Sequence, residues 1–288
     1  MASRDIRRKF GQNYLSDPAI IFEMSRAISP LDGDNFFEIG PGMGALTNVL
    51  NLPGINVKAI DVDYKNIEYL KKQYLAPAKF DFIHGDVLSA SLDFLEKDKY
   101  RIVGNLPYNI STQIILMFSN WSHLVGDLHF LVQKEVAEKI AGKIASKNWG
   151  KLSIKLSAFF NTEILFDVPP EAFDIKPKVN SSFIRMTPQK KYNIDQHTKD
   201  NLYKIIDMSF SSRRKNIKNN LKKLDLEWDV LDINPSLRPE EISLDDYLKI
   251  SKKLENEMAY DVVGDVQDCC TELEAILKKI KFNATQDK

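Results

Sequence analysis

Residues 36–61 read FFEIGPGMGALTNVLNLPGINVKAID. An apolar run, Phe36–Ile39, leads into a turn with three glycines. A helical stretch at Ala45–Asn51, a second run at Val57–Ile60 and the carboxylate Asp61 follow. Strand-like runs separated by helix-length segments predict parallel strands joined by crossover helices. The alternation continues outward, with runs at Phe80–Ile83, Tyr100–Val103 and Leu128–Val132 and helices over Lys65–Tyr74 and Ser111–Phe118. Upstream, Ser16-Asp17-Pro18 predicts the start of a helix over Ala19–Ile28. Downstream, Leu152–Phe160 and Val179–Met186 read as further strands, Pro188–Tyr192 as a linker, and 195–254 as all helix.

In sheets of this kind ligands lie beyond the carboxyl ends of the strands. Four strand exits carry polar or glycine residues: Gly40-Pro41-Gly42-Met43-Gly44, Asp61, His84-Gly85-Asp86, and Gly104-Asn105-Leu106-Pro107-Tyr108. The glycine spacing is neither the dinucleotide fingerprint nor a Walker loop, and a tight packing turn is the competing reading. Asp61 lies 21 residues after Gly40, where a carboxylate can accept from both hydroxyls of a ribose. Asp86 is placed to accept from the amino group of an adenine. A helix cap is the alternative for both, with Asp63 as a rival for the first. Together the exits suggest an adenosine ligand without a pyrophosphate.

Asn105-Leu106-Pro107-Tyr108 suits chemistry on an exocyclic adenine amine. That nitrogen is a poor nucleophile because its lone pair is delocalised into the ring. The Asn105 side-chain oxygen and the Leu106 carbonyl can accept its two hydrogens and turn the lone pair toward an electrophile. Pro107 stiffens the loop and has no N–H to donate. Tyr108 offers a flat face for a base. An ordinary strand-exit turn is the bland alternative.

The 288 residues are 43% hydrophobic and 28% charged, which excludes a disordered chain. Two domains are expected at this length. No apolar run approaches the ~18 residues that span a bilayer, so no membrane partner is expected. Two cysteines, the adjacent Cys269 and Cys270, exclude a disulfide framework and fit a reducing cytoplasm. The four histidines lack metal-ligand spacing, and no metal is expected. The net charge of zero conceals a basic block. Residues 176–224 carry 13 Lys/Arg against 3 Asp/Glu, a net of +10. This is a candidate polyanion face, with a solvated basic helix as the alternative. Within it, Phe210, Ile217, Leu221 and Leu224 form one stripe of a predicted helix over 210–224. Lys215, Lys218 and Lys222 fall opposite, flanked by Arg213 and Arg214. Arg4, Arg7, Arg8 and Lys9 add a basic N-terminal arm.

With these residues in view, the sequence resembles the ribosomal small-subunit RNA adenine dimethyltransferases (the KsgA type), relatives of the erythromycin-resistance rRNA methyltransferases. The resemblance spans about residues 6–254. It is carried by Arg8-Lys9-Phe10-Gly11-Gln12-Asn13-Tyr14-Leu15, Glu38–Gly44, Gly85-Asp86 and Asn105–Thr112. Gln133–Ala137, Phe173 with Pro177–Ser182, Arg213-Arg214-Lys215 and Arg238-Pro239-Glu240-Glu241 extend it. It implies an α/β, Rossmann-like class I methyltransferase domain over residues 1–190. A smaller all-helical RNA-binding domain over 191–254 and an extra acidic helical tail over 255–288 would follow.

The methyl donor implied is S-adenosylmethionine, and the acceptors are two adjacent adenines near the 3′ end of 16S rRNA in the small ribosomal subunit. Gln12, Asn13 and Leu15 would edge the pocket. Gly40 would face the donor's methionine end, with Gly42 also among the donor-binding residues, and Asp61 would face its ribose and Asp86 its adenine. Asn105 would touch donor and target, with Leu106 and Pro107 beside it and Tyr108 and Phe173 sandwiching the target base. Arg7, Arg8, Lys9, Arg213, Arg214, Lys215, Lys218 and Lys222 would contact RNA. Asp61 departs from the pattern, because many members have Glu there. A cytoplasmic monomer is expected. The rival readings are a non-catalytic subunit-assembly factor, a 23S rRNA methyltransferase, and a methyltransferase of protein or small molecules, against which the basic block argues.

Overall fold

In the computed structural model, residues 13–212 and 214–253 are described. They fall into two units, dividing between Asn193 and Ile194 where a boundary at 190/191 was expected.

The first unit is built on β1 (Asn35–Ile39), β2 (Asn56–Asp61), β3 (Lys79–His84), β4 (Arg101–Asn105), β5 (Leu128–Gln133), β6 (Phe160–Val168) and β7 (Ser181–Pro188). They form one sheet in the order β3-β2-β1-β4-β5-β7-β6. β1 to β5 are parallel, whereas β7 pairs antiparallel with both β5 and β6. The expected parallel sheet is therefore a mixed one. Strands covered on both faces need continuous apolar runs. Phe36, Phe37, Ile39, Ile102, Val103, Leu128, Phe130, Leu131 and Val132 are accordingly buried. α1 (Pro18–Ile28) precedes β1; α2 (Ala45–Leu50), α3 (Tyr64–Gln73) and α4 (Ser111–Met117) lie in crossovers between parallel strands, and α5 (Lys134–Ile140) follows β5. Asp17 caps α1, its Oδ1 accepting from Ala19 N–H at 2.8 Å.

Two expectations fail here. Residues read as a strand over Leu152–Phe160 instead form α6 (Lys151–Ser157), and the strand begins only at Phe160. The alternation of Leu152, Ile154 and Leu156 mimics a strand, but Ser153 makes the N-terminal turn, its hydroxyl accepting from Gly150 N–H at 2.8 Å. The predicted helix over 210–224 is also broken. In the second unit α7 (Gln196–Ser209) ends before Phe210, and α8 (Ile217–Asn220) follows a turn. Asn220 Nδ2 donates to the carbonyls of Ser212 and Lys215, and Asn216 Oδ1 accepts from Asn219 N–H. Short polar side chains thus outcompete the helical ladder. α9 (Trp228–Leu231) and helical backbone over 244–253 complete this unit. Leu202, Ile205, Ile206, Ile217, Tyr247 and Ile250 are buried in it. Among the described residues no helix is long and apolar enough to cross a membrane. The proposed tail at 255–288 lies outside the described residues.

Strand order reverses between β1 and β4, which leaves a crevice at their carboxyl ends. The two strands approach closely because Gly104 has no side chain. A Cβ there would stand 2.7 Å from the Ile39 carbonyl oxygen.

Candidate functional site

The crevice holds a cavity of about 250 Å³. Of the predicted residues, Asn13, Gly40, Gly42, Asp61, Asp86, Asn105, Leu106, Pro107 and Tyr108 line it. Asp61 and Asn105, the ends of β2 and β4, therefore open onto the same space.

The Asp61 side chain is almost fully buried. Its Oδ1 accepts from Asp63 N–H at 2.8 Å, and its Oδ2 accepts from Gly42 N–H and Asn66 Nδ2, each at 3.1 Å. Burial raises its pKa, and these hydrogen bonds to the charged form oppose the rise. Asp63 is the cap of α3, with Oδ1 accepting from Lys65 N–H at 2.9 Å. The Asp86 Oδ1 accepts from Leu88 N–H at 2.9 Å, so this residue makes a turn bond while also lining the cavity.

Asn105 Nδ2 donates to the Asn13 carbonyl at 2.8 Å, which commits the amide nitrogen and leaves its oxygen as an acceptor. Tyr108 Oη lies 2.5 Å from Ser181 Oγ, and burial pushes its pKa up. Leu15 borders a smaller adjoining cavity of about 30 Å³ together with Glu38, Gly40, Gly42 and Asn105. Phe173 lines neither cavity. It is bridged to Leu15 and packs among Met24, Val168 and Phe183 in the core. Gln12, Arg7, Arg8, Lys9 and Arg213 lie outside the described residues. Arg214, Lys215, Lys218 and Lys222 are exposed on the second unit and make no ion pair with the described residues.

The lining suits an adenosyl group. Asp61 and Asp86 are acceptors for hydroxyl and amine donors, and Val62, Val87 and Ile110 supply apolar walls for a base. Among the described residues, no Lys or Arg lines the cavity, which leaves a pyrophosphate without a countercharge. Val62 and Val87 were missed in the sequence. The available signal was an apolar residue directly after each exit carboxylate, 41% exposed in the case of Val62. Glu38, on β1, is buried, and desolvation pushes its pKa up to about 8 against a 2.8 Å hydrogen bond from Thr47 Oγ1. Among the described residues, no group of three or more His, Cys, Asp or Glu side chains is placed to hold a metal ion.

A family model described as ribosomal RNA adenine dimethylase matches residues 3–256. The chain belongs to this family. It is 40% identical over 253 residues to a protein of Legionella pneumophila named ribosomal RNA small subunit methyltransferase A, covering 87% of this chain and 98% of that one. It is 36% identical over 257 residues to a protein of the same name from Coxiella burnetii, covering 88% and 100%. The dimethylase fold is seen in its similarity to a dimethyladenosine transferase from Plasmodium falciparum. That match has a TM-score of 0.72 and 22% identity, and covers 84% of this chain and 97% of the other.

Proposed function

We propose that this chain is an S-adenosylmethionine-dependent RNA adenine N6-dimethyltransferase acting on two adjacent adenines near the 3′ end of 16S rRNA, in the course of small-subunit biogenesis. One observation carries the reading: a ribose-type carboxylate, Asp61, and the Asn105–Tyr108 turn line one cavity. Family membership supports it independently.

The donor supplies an electrophilic methyl group on a sulfonium sulfur. Asp61 holds the ribose end, and Asp86 accepts from the adenine amine. The Asn105 oxygen and the Leu106 carbonyl each take a hydrogen bond from the target amine. Pairing both hydrogens turns the nitrogen toward tetrahedral geometry and aims its lone pair along the line of attack. Tyr108 stacks on the target base, a contact worth ~1–3 kcal/mol. Its bond to Ser181 fixes the ring plane. Phe173, bridged to Leu15, backs the wall that Leu15 gives the smaller cavity. The N–C bond forms as the methyl–sulfur bond breaks, and S-adenosylhomocysteine is the leaving group. The methylated nitrogen, now cationic and acidic, releases its proton to solvent, so catalysis comes from positioning with no strong base required.

The target adenine must leave its stack to reach Asn105, so a loop is a better substrate than a duplex. We assign the exposed cations Arg214, Lys215, Lys218 and Lys222 to phosphate contact, which positions RNA without reading bases. The test is transfer of a labelled methyl group to unmethylated small subunits, with the modified nucleotides mapped. Two dimethylated adjacent adenines near the 3′ end of 16S rRNA are expected. Binding to subunits without any label incorporated would overturn the proposal in favour of an assembly factor.

A further inference from the structure

Asp61 has to present a carboxylate to the cavity from a short side chain that is itself almost fully buried. A short buried carboxylate is well aimed only if other groups hold it. Asp63 N–H and Gly42 N–H come from the backbone and are available to any acidic residue there. The remaining donor is a side chain, Asn66 Nδ2, on the first turn of α3. Asn66 is itself buried, and its amide meets the Tyr14 hydroxyl, with Nδ2–Oη at 3.2 Å and Oη–Oδ1 at 3.3 Å.

Tyr14 is fixed in turn. Its ring covers Gly42 so closely that a Cβ there would lie 2.8 Å from Tyr14 Cε1. Its backbone N–H donates to Asp174 Oδ1 at 3.1 Å, and its carbonyl accepts from Asp174 N–H at 3.0 Å. The residue before it, Asn13, holds the Asn105 amide. One short segment therefore touches the support of Asp61 at one end and the amide of Asn105 at the other.

We infer that Asn66 and Tyr14 are positioning residues for the methyl donor: the Asn66 amide occupies the space a longer acid would fill, aims Asp61 at the ribose, and is held by the Tyr14 hydroxyl. The inference rests on the reading of the cavity as a donor site. Losing the amide removes one bond that keeps the buried carboxylate charged, and a neutral acid is a poorer acceptor. The loss falls on donor binding, because Asn66 lies behind the cavity wall and the hydroxyl of Tyr14, which itself lines the cavity, meets the Asn66 amide.

The experiment measures S-adenosylhomocysteine affinity by calorimetry without RNA, and donor KM and kcat on unmethylated small subunits. Asn66→Ala is expected to weaken affinity and raise donor KM by about tenfold, with kcat at saturating donor within about twofold. Tyr14→Phe is expected to cost about threefold. The double variant is expected to be no worse than Asn66→Ala, because the two residues act as one unit. Asp61→Glu with Asn66→Ala is expected to recover binding, since the longer acid enters the vacated space. Asn66→Ala with unchanged affinity, or losing kcat rather than raising KM, would overturn the inference, as would failure of the Asp61→Glu rescue. A native chain that does not bind S-adenosylhomocysteine would instead overturn the donor-site reading. Binding without methylation of 16S rRNA would overturn only the substrate assignment.

Discussion

The Asn105 amide nitrogen donates to the Asn13 carbonyl oxygen at 2.8 Å, across 92 residues of sequence. This bond chooses which face of the amide remains for chemistry. Asn105→Ala removes the acceptor that orients the target amine. It is expected to lower kcat by about 10²–10³, the usual loss for one preorganised polar partner in a water-poor site. Asn105→Asp retains an acceptor but sets a carboxylate against the Asn13 carbonyl, so it should rescue poorly. Single-turnover methyl transfer at saturating donor reads both.

Tyr108 separates stacking from hydrogen bonding. Tyr108→Phe keeps the ring and loses the 2.5 Å contact to Ser181, so kcat should fall by less than about tenfold. Tyr108→Ala removes the stacking face and should lose turnover far more than donor affinity. Equal loss of both would argue against a base-stacking role.

The route from sequence to this site was short for some residues and absent for others. Strands β1, β2, β4 and β5 were legible because buried parallel strands are apolar runs, and β3, at the sheet edge, because Phe80, Phe82 and Ile83 mark it; the polar exits stand out against them. Asp61, Asp86 and Asn105 were found that way. Helix α6 was not, because three alternating apolar residues satisfy a strand pattern over so short a span and the Ser153 hydroxyl bond is a cue of one atom. The break after Phe210 was missed for the same kind of reason: the apolar stripe was continuous, but Asn216 and Asn220 satisfied the backbone locally. Tyr14 and Asn66 meet only through the fold, and no local pattern marks a pair 52 positions apart. The antiparallel β7 was readable as a strand, but its direction is set by the return of the chain through β6.

Glu38 gives a pH dependence with a definite sign. Its folded pKa is about 8, raised by burial from an ordinary 4.5, so the folded state holds a proton that the unfolded chain releases. The stability this supplies is present at low pH and is lost as pH rises from about 4.5 through about 8. Glu38→Gln keeps an acceptor for Thr47 Oγ1 and cannot ionise. The variant should gain relative to the native chain as pH rises from 6 to 8, by at least about 2 °C in melting temperature. Parallel melting curves across that range check it.

The exposed cations of the second unit predict a salt effect. Replacing Lys215, Lys218 or Lys222 singly by alanine should weaken RNA binding about equally for matched and scrambled loops. Each should also reduce the slope of log K against log salt by roughly 1. Titration of labelled RNA at several salt concentrations measures the slope. A substitution that altered loop preference and left the slope intact would place that lysine away from phosphate.

The central claim is that donor and target adenine meet in the one cavity shared by Asp61 and Asn105. A crystal structure with bound S-adenosylhomocysteine tests it most directly. The account predicts the ribose hydroxyls on Asp61, the adenine beside Asp86 and Val62, and the sulfur turned toward Asn105. Ligand seated elsewhere, or with its sulfur turned away from the Asn105–Tyr108 turn, would contradict it.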